Sequence, residues 1–478
     1  MTTVFTLLCV GFAGIIGMLT WWQVIVAGEL RQKDENNQTA YYEQRVQRGF
    51  ISTRDGVRLA GRTATTGSNG DKIWTRRYAK GNLAAHVLGY DTRGHSRAGI
   101  ERAMNDSLTG STRDLGAVVG LLDGDEAAIG DDVVLTINAG AQEVAERALQ
   151  GKVGAIVAIE PSTGRVLTMA SAPTFDPMDV MRDFDAVAAN EGALFNRATQ
   201  ASYPPGSTFK VVTAAAALED GLSPDHTFKG GSEFKTTGGA IRNFAGASYG
   251  PHDLTTALTK SINVSFAELG VQLGDTKLRD QMERFGFFSK PPLYGLPGAE
   301  VRASGMTGTD GKPLPATMGF DEARTAIGQD KLTVTPLQMA LVTAAIANKG
   351  IVPEPTLIEK VQRAGGGATV ERLRTKPWRT AISPETAREL GAMMENVVRE
   401  GSGTQAALQG IDVAGKTGTA DTPSGNLVWF IAYAPANRPK VAIAVAVERQ
   451  SSGMTGGDVA APIARSVIEA LLGRGGVQ

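Results

Sequence analysis

The first apolar run, residues 4–27 (VFTLLCVGFAGIIGMLTWWQVIVA), contains no charged side chain. A helix of that length, at about 1.5 Å per residue, crosses a bilayer core of about 30 Å. Trp21 and Trp22, near its end, suit an interfacial aromatic belt. A cleaved signal peptide is the other reading, since VIVAGE ends in small residues, but the run exceeds a signal core and no basic leader precedes it. Residues 29–150 alternate short apolar pieces with turn signals such as RDGVRLAGRT and TTGSNGDK, the pattern of a mixed, loop-rich module. Within it, GDDVVLTINAGAQEVAERALQG reads as a strand followed by a helix. Two β-rich runs around PSTG in VGAIVAIEPSTGRVLTMASAP predict a hairpin that opens a second domain, 151–478. Helical patterns follow at 207–219, 253–286, 335–348 and 384–400, with Gly-rich loops at 229–250 and 303–313. LVWFIAYAPANRPKVAIAVAVERQ predicts another hairpin, turned at PANRP, and APIARSVIEALLG a last helix. Hairpins at both ends of a helix-rich centre predict an α+β fold, an antiparallel sheet flanked by helices, preceded by a smaller mixed module and a single transmembrane helix, residues 1–28.

Composition removes several function classes. The 478 residues hold 48 basic and 49 acidic side chains, so the chain presents no basic field for nucleic acid. His86, His95, His226 and His252 are scattered without metal-ligand spacing, and Cys9 is the only cysteine. A zinc site, a Cys-His nucleophile and an intramolecular disulfide are therefore disfavoured. No phosphate-binding glycine motif is present, and neither a cofactor nor a metal is expected.

Three short stretches carry candidate chemistry. YPPGSTFK (203–210) places Ser207 at a helix start, after residues that resist helix, and Lys210 three positions on. Capping is one role for such a serine. The other uses helix geometry: Lys210 lies on the same face, its amine reaching back toward the Ser207 hydroxyl. Lysine can take a proton near neutral pH when burial and nearby positive charge lower its pKa, and Phe209 with the apolar residues after Lys210 would dry the amine. TKSINVSFAELG projects Ser261 and Asn263 from a turn before a helix, which alone is a capping pattern. GKTGT (415–419) places glycine where backbones approach closely, with Lys416, Thr417 and Thr419 as donors for an anion.

In the order S-x-x-K, S-x-N, K-T-G, separated by about 50 and about 150 residues, these stretches resemble the serine acyl-transferases of the penicillin-binding protein and β-lactamase superfamily. RGFISTRDGVRLA (48–60) and HVLGYDTRGHSRAGIERAMNDSLTG (86–110) are similar to the non-catalytic module of class B penicillin-binding proteins. GAIVAIEPSTGRVLTMASAPTFDP, AIGQDKLTVTPLQMALVTAAIANKG and VAGKTGTAD are similar to landmarks of their transpeptidase domain. The likeness runs from anchor to final helix and is greatest to the short actinobacterial form. One departure is Thr53, where the family usually has an aspartate before the Arg of RDG.

The resemblance implies that Ser207 is the nucleophile and Lys210 its base, that Ser261 relays a proton to the leaving amine, and that Asn263 holds substrate and the Lys210 amine. It implies that Lys416 sets the electrostatics of that relay, that Thr417 and Thr419 bind the donor's terminal carboxylate while Gly418 lets the peptide pack against the strand, and that the backbone N–H groups of Ser207 and Thr419 form an oxyanion hole. The implied substrates are peptidoglycan stem peptides, a D-alanyl-D-alanine donor and an amine acceptor, with β-lactams as covalent inhibitors. Because that substrate lies outside the cytoplasmic membrane, the N-terminus would be inside and residues beyond about 28 outside, beside a membrane glycosyltransferase partner. A β-lactamase, a β-lactam sensor and a catalytically silent scaffold are the alternatives on this fold. Residues 231–250 read equally as a loop over the groove or a plain surface loop. Trp429, Phe430, Tyr433, Met393 and Met394 read as packing residues.

Overall fold

The structure is a computed structural model that describes residues 2–21, 46–67, 72–92, 96–110, 129–236 and 238–474. Thr2–Thr20 form an apolar helix with no buried residue, long enough to cross a membrane. The Thr6 and Thr20 hydroxyls bond back to the Thr2 and Ile16 carbonyls at 2.9 and 2.8 Å, so these polar side chains are satisfied inside the helix. Residues 22–27 of the expected span lie outside the described residues.

Distant parts of the chain share the first sheet. Its six strands lie in the order Thr369–Arg372, Ile358–Gln362, Asp132–Leu135, Ile51–Ser52, Arg58–Thr66, Lys72–Tyr78. Ile51–Ser52 runs parallel to Asp132–Leu135, and the other pairings are antiparallel. Residues 358–372 thus complete the sheet of the leading module, although they follow it by more than two hundred positions. Beside this sheet Glu101 is fully buried. Its carboxylate accepts from Arg48 Nε at 2.7 Å, Arg76 Nε at 2.6 Å and Tyr78 Oη at 3.2 Å, the partners a buried charge requires.

The second sheet has five antiparallel strands in the order Ala414–Thr422, Gly425–Ala434, Val441–Gln450, Gly154–Ile159, Val166–Ala172. Its central strands are buried on both faces. Leu427, Trp429, Ile431 and Tyr433 enter one core with the helix Pro336–Ala347, while Val428, Phe430, Ala432 and Ala434 enter the other with Ala460–Leu471. The helix Ala139–Ala148 packs beside Ala460–Leu471. Double coverage explains why LVWFIAYA and VAIAVAV are unbroken apolar runs; a face open to water would make every second residue polar. The helices Pro336–Ala347 and Pro384–Arg399 start on one signal, a capping hydroxyl (Thr335, Ser383) followed by proline at the first helical position. Met393 and Met394 are buried on the latter helix.

Candidate active site

The nucleophile candidate sits on a turn gripped from three sides. Gly206–Phe209 form a 3-10 turn that leads into the helix Lys210–Glu219. Tyr203 and Val334 exchange backbone hydrogen bonds at 3.0 and 2.7 Å, Gly206 N donates to Gly328 O at 2.9 Å, and the Trp429 indole donates to Pro204 O at 3.0 Å. Gly206 has φ +51°, and a Cβ there would lie 2.6 Å from the Thr419 carbonyl oxygen. Only glycine lets the turn approach the edge strand Ala414–Thr422 so closely. Ser207 is half-buried, and its hydroxyl caps neither the turn nor the helix.

Helix Leu254–Thr259 ends in a left-handed turn that brings Ser261 and Asn263 to Lys210. Ile262 N bonds Ala257 O at 2.9 Å and Ser261 N bonds Leu258 O at 3.2 Å, the paired bonds of a Schellman motif. The left-handed position, usually glycine, is Ser261 at φ +57°. The expected helical run 253–286 is therefore broken at this turn, and the helix Asn263–Arg284 begins just beyond it. Asn263 Nδ2 donates to Arg242 O at 2.8 Å, which leaves Oδ1 facing Lys210 Nζ at 2.7 Å.

Both lysines of the site are fully buried. Lys210 Nζ donates to Ser261 O at 2.7 Å and lies 3.4 Å from Ser261 Oγ. Lys416 Nζ donates to Ser261 Oγ at 2.9 Å and to Thr417 O at 3.0 Å. Burial first, and the charge of Lys416 second, hold the Lys210 ammonium well below its ordinary pKa. Burial brings Lys416 down to about 7. The Ser261 carbonyl and the Asn263 amide oxygen are pure acceptors, so each needs a hydrogen from Lys210. A neutral amine has two hydrogens to give and keeps one lone pair, the group that can take a proton.

Two local expectations change. Lys210 makes no hydrogen bond to Ser207; two strong acceptors outside the turn hold its amine instead. The ring over that amine is Phe266, with Nζ 5.4 Å from the centroid, whereas Phe209 packs on Phe287. Gly418 also has a place in the protein's own packing: a Cβ there would come 2.9 Å from both Pro205 O and the Thr208 methyl, and one at Gly456 would come 2.7 Å from Gly418 O. Thr417 is buried with its hydroxyl 2.5 Å from Ser402 Oγ, and Thr419 is half-buried.

Sequence reasoning missed four contributors. Ser402 and Trp429 meet the site only through the fold. Gly328 lies close enough that a Cβ would come 2.0 Å from Gly206 O, and the one legible signal for it was the glycine in AIGQD. Asn243 accepts from Val264 N at 3.0 Å. It follows the hairpin Glu233–Thr236 and Gly239–Arg242, so the 231–250 loop abuts Asn263. Trp429, Phe430 and Tyr433 are buried sheet residues, as expected.

Buried amines meeting at one serine hydroxyl, beside a strained turn that presents a second serine, define a serine acyl-transferase type of site. Residues 154–469 match the penicillin binding protein transpeptidase domain, and residues 48–128 match the penicillin binding protein A dimerisation domain. The chain belongs to the penicillin-binding protein transpeptidase family. It is 35% identical over 493 residues to peptidoglycan D,D-transpeptidase PbpA of Mycolicibacterium smegmatis, covering 96% of each chain. Identity to the protein of the same name in Mycobacterium tuberculosis is 35% over 491 residues, 95% of this chain and 94% of the relative. Among solved structures, penicillin-binding protein A from M. tuberculosis as its ceftriaxone acyl-enzyme complex aligns with TM-score 0.80 at 32% identity, over 91% of this chain and 100% of that one. Its penicillin G acyl-enzyme complex aligns with TM-score 0.79 at 33% identity, over 89% and 100%.

Proposed function

We propose that this chain is a peptidoglycan D,D-transpeptidase that works through an acyl-enzyme on Ser207. The observation that carries the reading is the convergence on the Ser261 hydroxyl of Lys210, three residues after Ser207, and Lys416, on the K-T-G strand. Ser207 Oγ attacks the carbonyl carbon of the penultimate D-alanine, and the Lys210 lone pair takes its proton. Backbone N–H groups of Ser207 and Thr419 hold the oxyanion. The C–N bond then breaks, the Ser261 hydroxyl passes a proton to the departing D-alanine amine, and Ser261 is reprotonated from the lysines. Lys416, neutral or charged near pH 7, keeps that exchange poised. An acceptor amine attacks the ester by the same route in reverse, giving the cross-link and freeing Ser207. Asn263 aligns the donor backbone and the Lys210 amine, and Thr417 and Thr419 bind the terminal carboxylate.

The same reading assigns residues 1–28 to a membrane anchor, 29–150 to a non-catalytic pedestal and 151–478 to the transpeptidase domain. The acyl donor is an extracytoplasmic polymer, which puts the N-terminus inside and the catalytic domain outside. A membrane glycosyltransferase that makes the glycan strand is the partner such a cross-linker requires. β-Lactams, as strained mimics of the donor terminus, acylate Ser207 and leave slowly. The test is covalent labelling of the full chain in detergent with benzylpenicillin, followed by peptide mass spectrometry. A persistent adduct on Ser207, lost in Ser207→Ala and in folded Lys210→Ala, is expected; a folded parent with no adduct, or one that hydrolyses the drug rapidly, overturns the assignment.

A further inference from the structure

The loop Glu400 to Gly403 follows the helix Pro384–Arg399 and touches both the S-x-N turn and the K-T-G strand. Lys260 Nζ donates to Glu400 O at 3.1 Å, and a Cβ on Gly401 would lie 2.5 Å from Thr259 O, so the loop is seated on the residues just before Ser261. On its other side a Cβ on Gly457 would lie 2.5 Å from Ser402 O. The loop is thus held on both flanks, and Ser402, although exposed, has a fixed backbone. Its Oγ stands 2.5 Å from Thr417 Oγ1. Thr417 itself is buried, and its carbonyl is engaged by Lys416.

A hydroxyl has one proton and two lone pairs. Two hydroxyls in contact therefore place one proton between them and leave one to point elsewhere. If Thr417 donated to Ser402, Thr417 would face an approaching anion with lone pairs only. If Ser402 donates to Thr417, the Thr417 proton turns outward and the anion is met by a donor whose oxygen is polarised by a second hydrogen bond. We propose that Ser402 is a positioning residue for recognition of the acyl donor's carboxylate: its hydroxyl donates to Thr417 Oγ1 and thereby aims the Thr417 proton at the carboxylate. The inference rests on the assignment of Thr417 and Thr419 to that carboxylate.

The test measures second-order acylation of the full chain by benzylpenicillin and by its methyl ester, in the parent, Ser402→Ala and Ser402→Thr. A hydrogen bond to an ionised group is worth roughly ten-fold or more in binding. Ser402→Ala should therefore lower acylation by the free acid about ten-fold while leaving the ester within about two-fold, and Ser402→Thr should restore the free acid. Loss of one fixed hydroxyl at an exposed site leaves the fold standing, which circular dichroism of each variant checks. Equal losses for acid and ester would mean that Ser402 merely braces the loop, and no loss for either would mean that Thr417 orients itself; both results overturn the proposal. An unlabelled Ser207 in the parent is a different failure, that of the site assignment, and removes the proposal with it.

Discussion

Gly206→Ala tests whether the approach of the nucleophile turn to the K-T-G strand governs acylation. An alanine Cβ would sit 2.6 Å from Thr419 O and 3.0 Å from Thr419 C, where ordinary contact begins near 3.4 Å. Backbone on a sheet strand cannot yield like a side-chain tip, so the turn must withdraw by about 0.8 Å. That movement separates the Ser207 and Thr419 amides, the pair assigned to the oxyanion in the proposed mechanism. A misplacement of about 1 Å, or loss of one oxyanion donor, costs roughly 100-fold in rate, or about 2.7 kcal/mol of transition-state stabilisation. Left-handed backbone adds a stability cost of about 1–2 kcal/mol. Gly221→Ala separates the two effects, because Gly221 has φ +92° beyond the end of the helix that starts at Lys210, and a Cβ added there would meet nothing within 4 Å. Second-order acylation by a fluorescent penicillin, measured on both folded variants, should fall about 100-fold for Gly206→Ala and stay near the parent for Gly221→Ala. Parental acylation in Gly206→Ala, or an equal loss in Gly221→Ala, would refute the reasoning.

Ser261→Gly and Ser261→Ala remove the same hydroxyl, and both should lose acylation. At φ +57° the glycine variant should be the more stable by about 1 kcal/mol in urea denaturation, since only the alanine keeps the strain. Glu101→Gln leaves the Arg48 and Arg76 guanidinium groups facing a neutral amide in a buried site; a loss of about 3–5 kcal/mol is expected, read as a lower melting temperature. Lys416, with its pKa lowered from 10.5 to about 7, makes stability rise with pH. Between those values the unfolded lysine keeps a proton that the folded one has released, so this group contributes about 1.4 kcal/mol per pH unit in favour of folding across the window, and nothing below it. Lys416→Met should flatten that slope in urea titrations at pH 7, 8 and 9.

Most of the architecture was legible because double burial writes itself as unbroken apolar runs, and because the three motif stretches are each local. Long-range pairing was not. Nothing local in IEKVQ says that Ile358–Gln362 pairs with Asp132–Leu135, and nothing in EGSGTQ says that Ser402 meets Thr417. The i, i+3 spacing of Ser207 and Lys210 was legible, but spacing alone does not rank partners. A carbonyl and an amide oxygen are stronger acceptors for a buried amine than a hydroxyl, so Lys210 turned to Ser261 and Asn263. The S-x-N turn likewise lacked its usual signal, because the left-handed position holds serine where glycine would be cheaper.

Several departures from local rules meet at the site. A serine in left-handed backbone, two fully buried lysines and glycines pressed against carbonyls each cost stability by themselves, and each touches Ser207, Ser261 or the K-T-G strand. Left-handed non-glycine backbone also occurs away from the site, at Ala84, Phe288 and Lys349, so such strain by itself marks no function. Strain and buried charge meeting at one serine is a combination that stability alone does not explain. The strained Ser261 turn is the sharpest instance, since glycine would close the same Schellman motif without strain, and what only serine adds is a hydroxyl held between two amines.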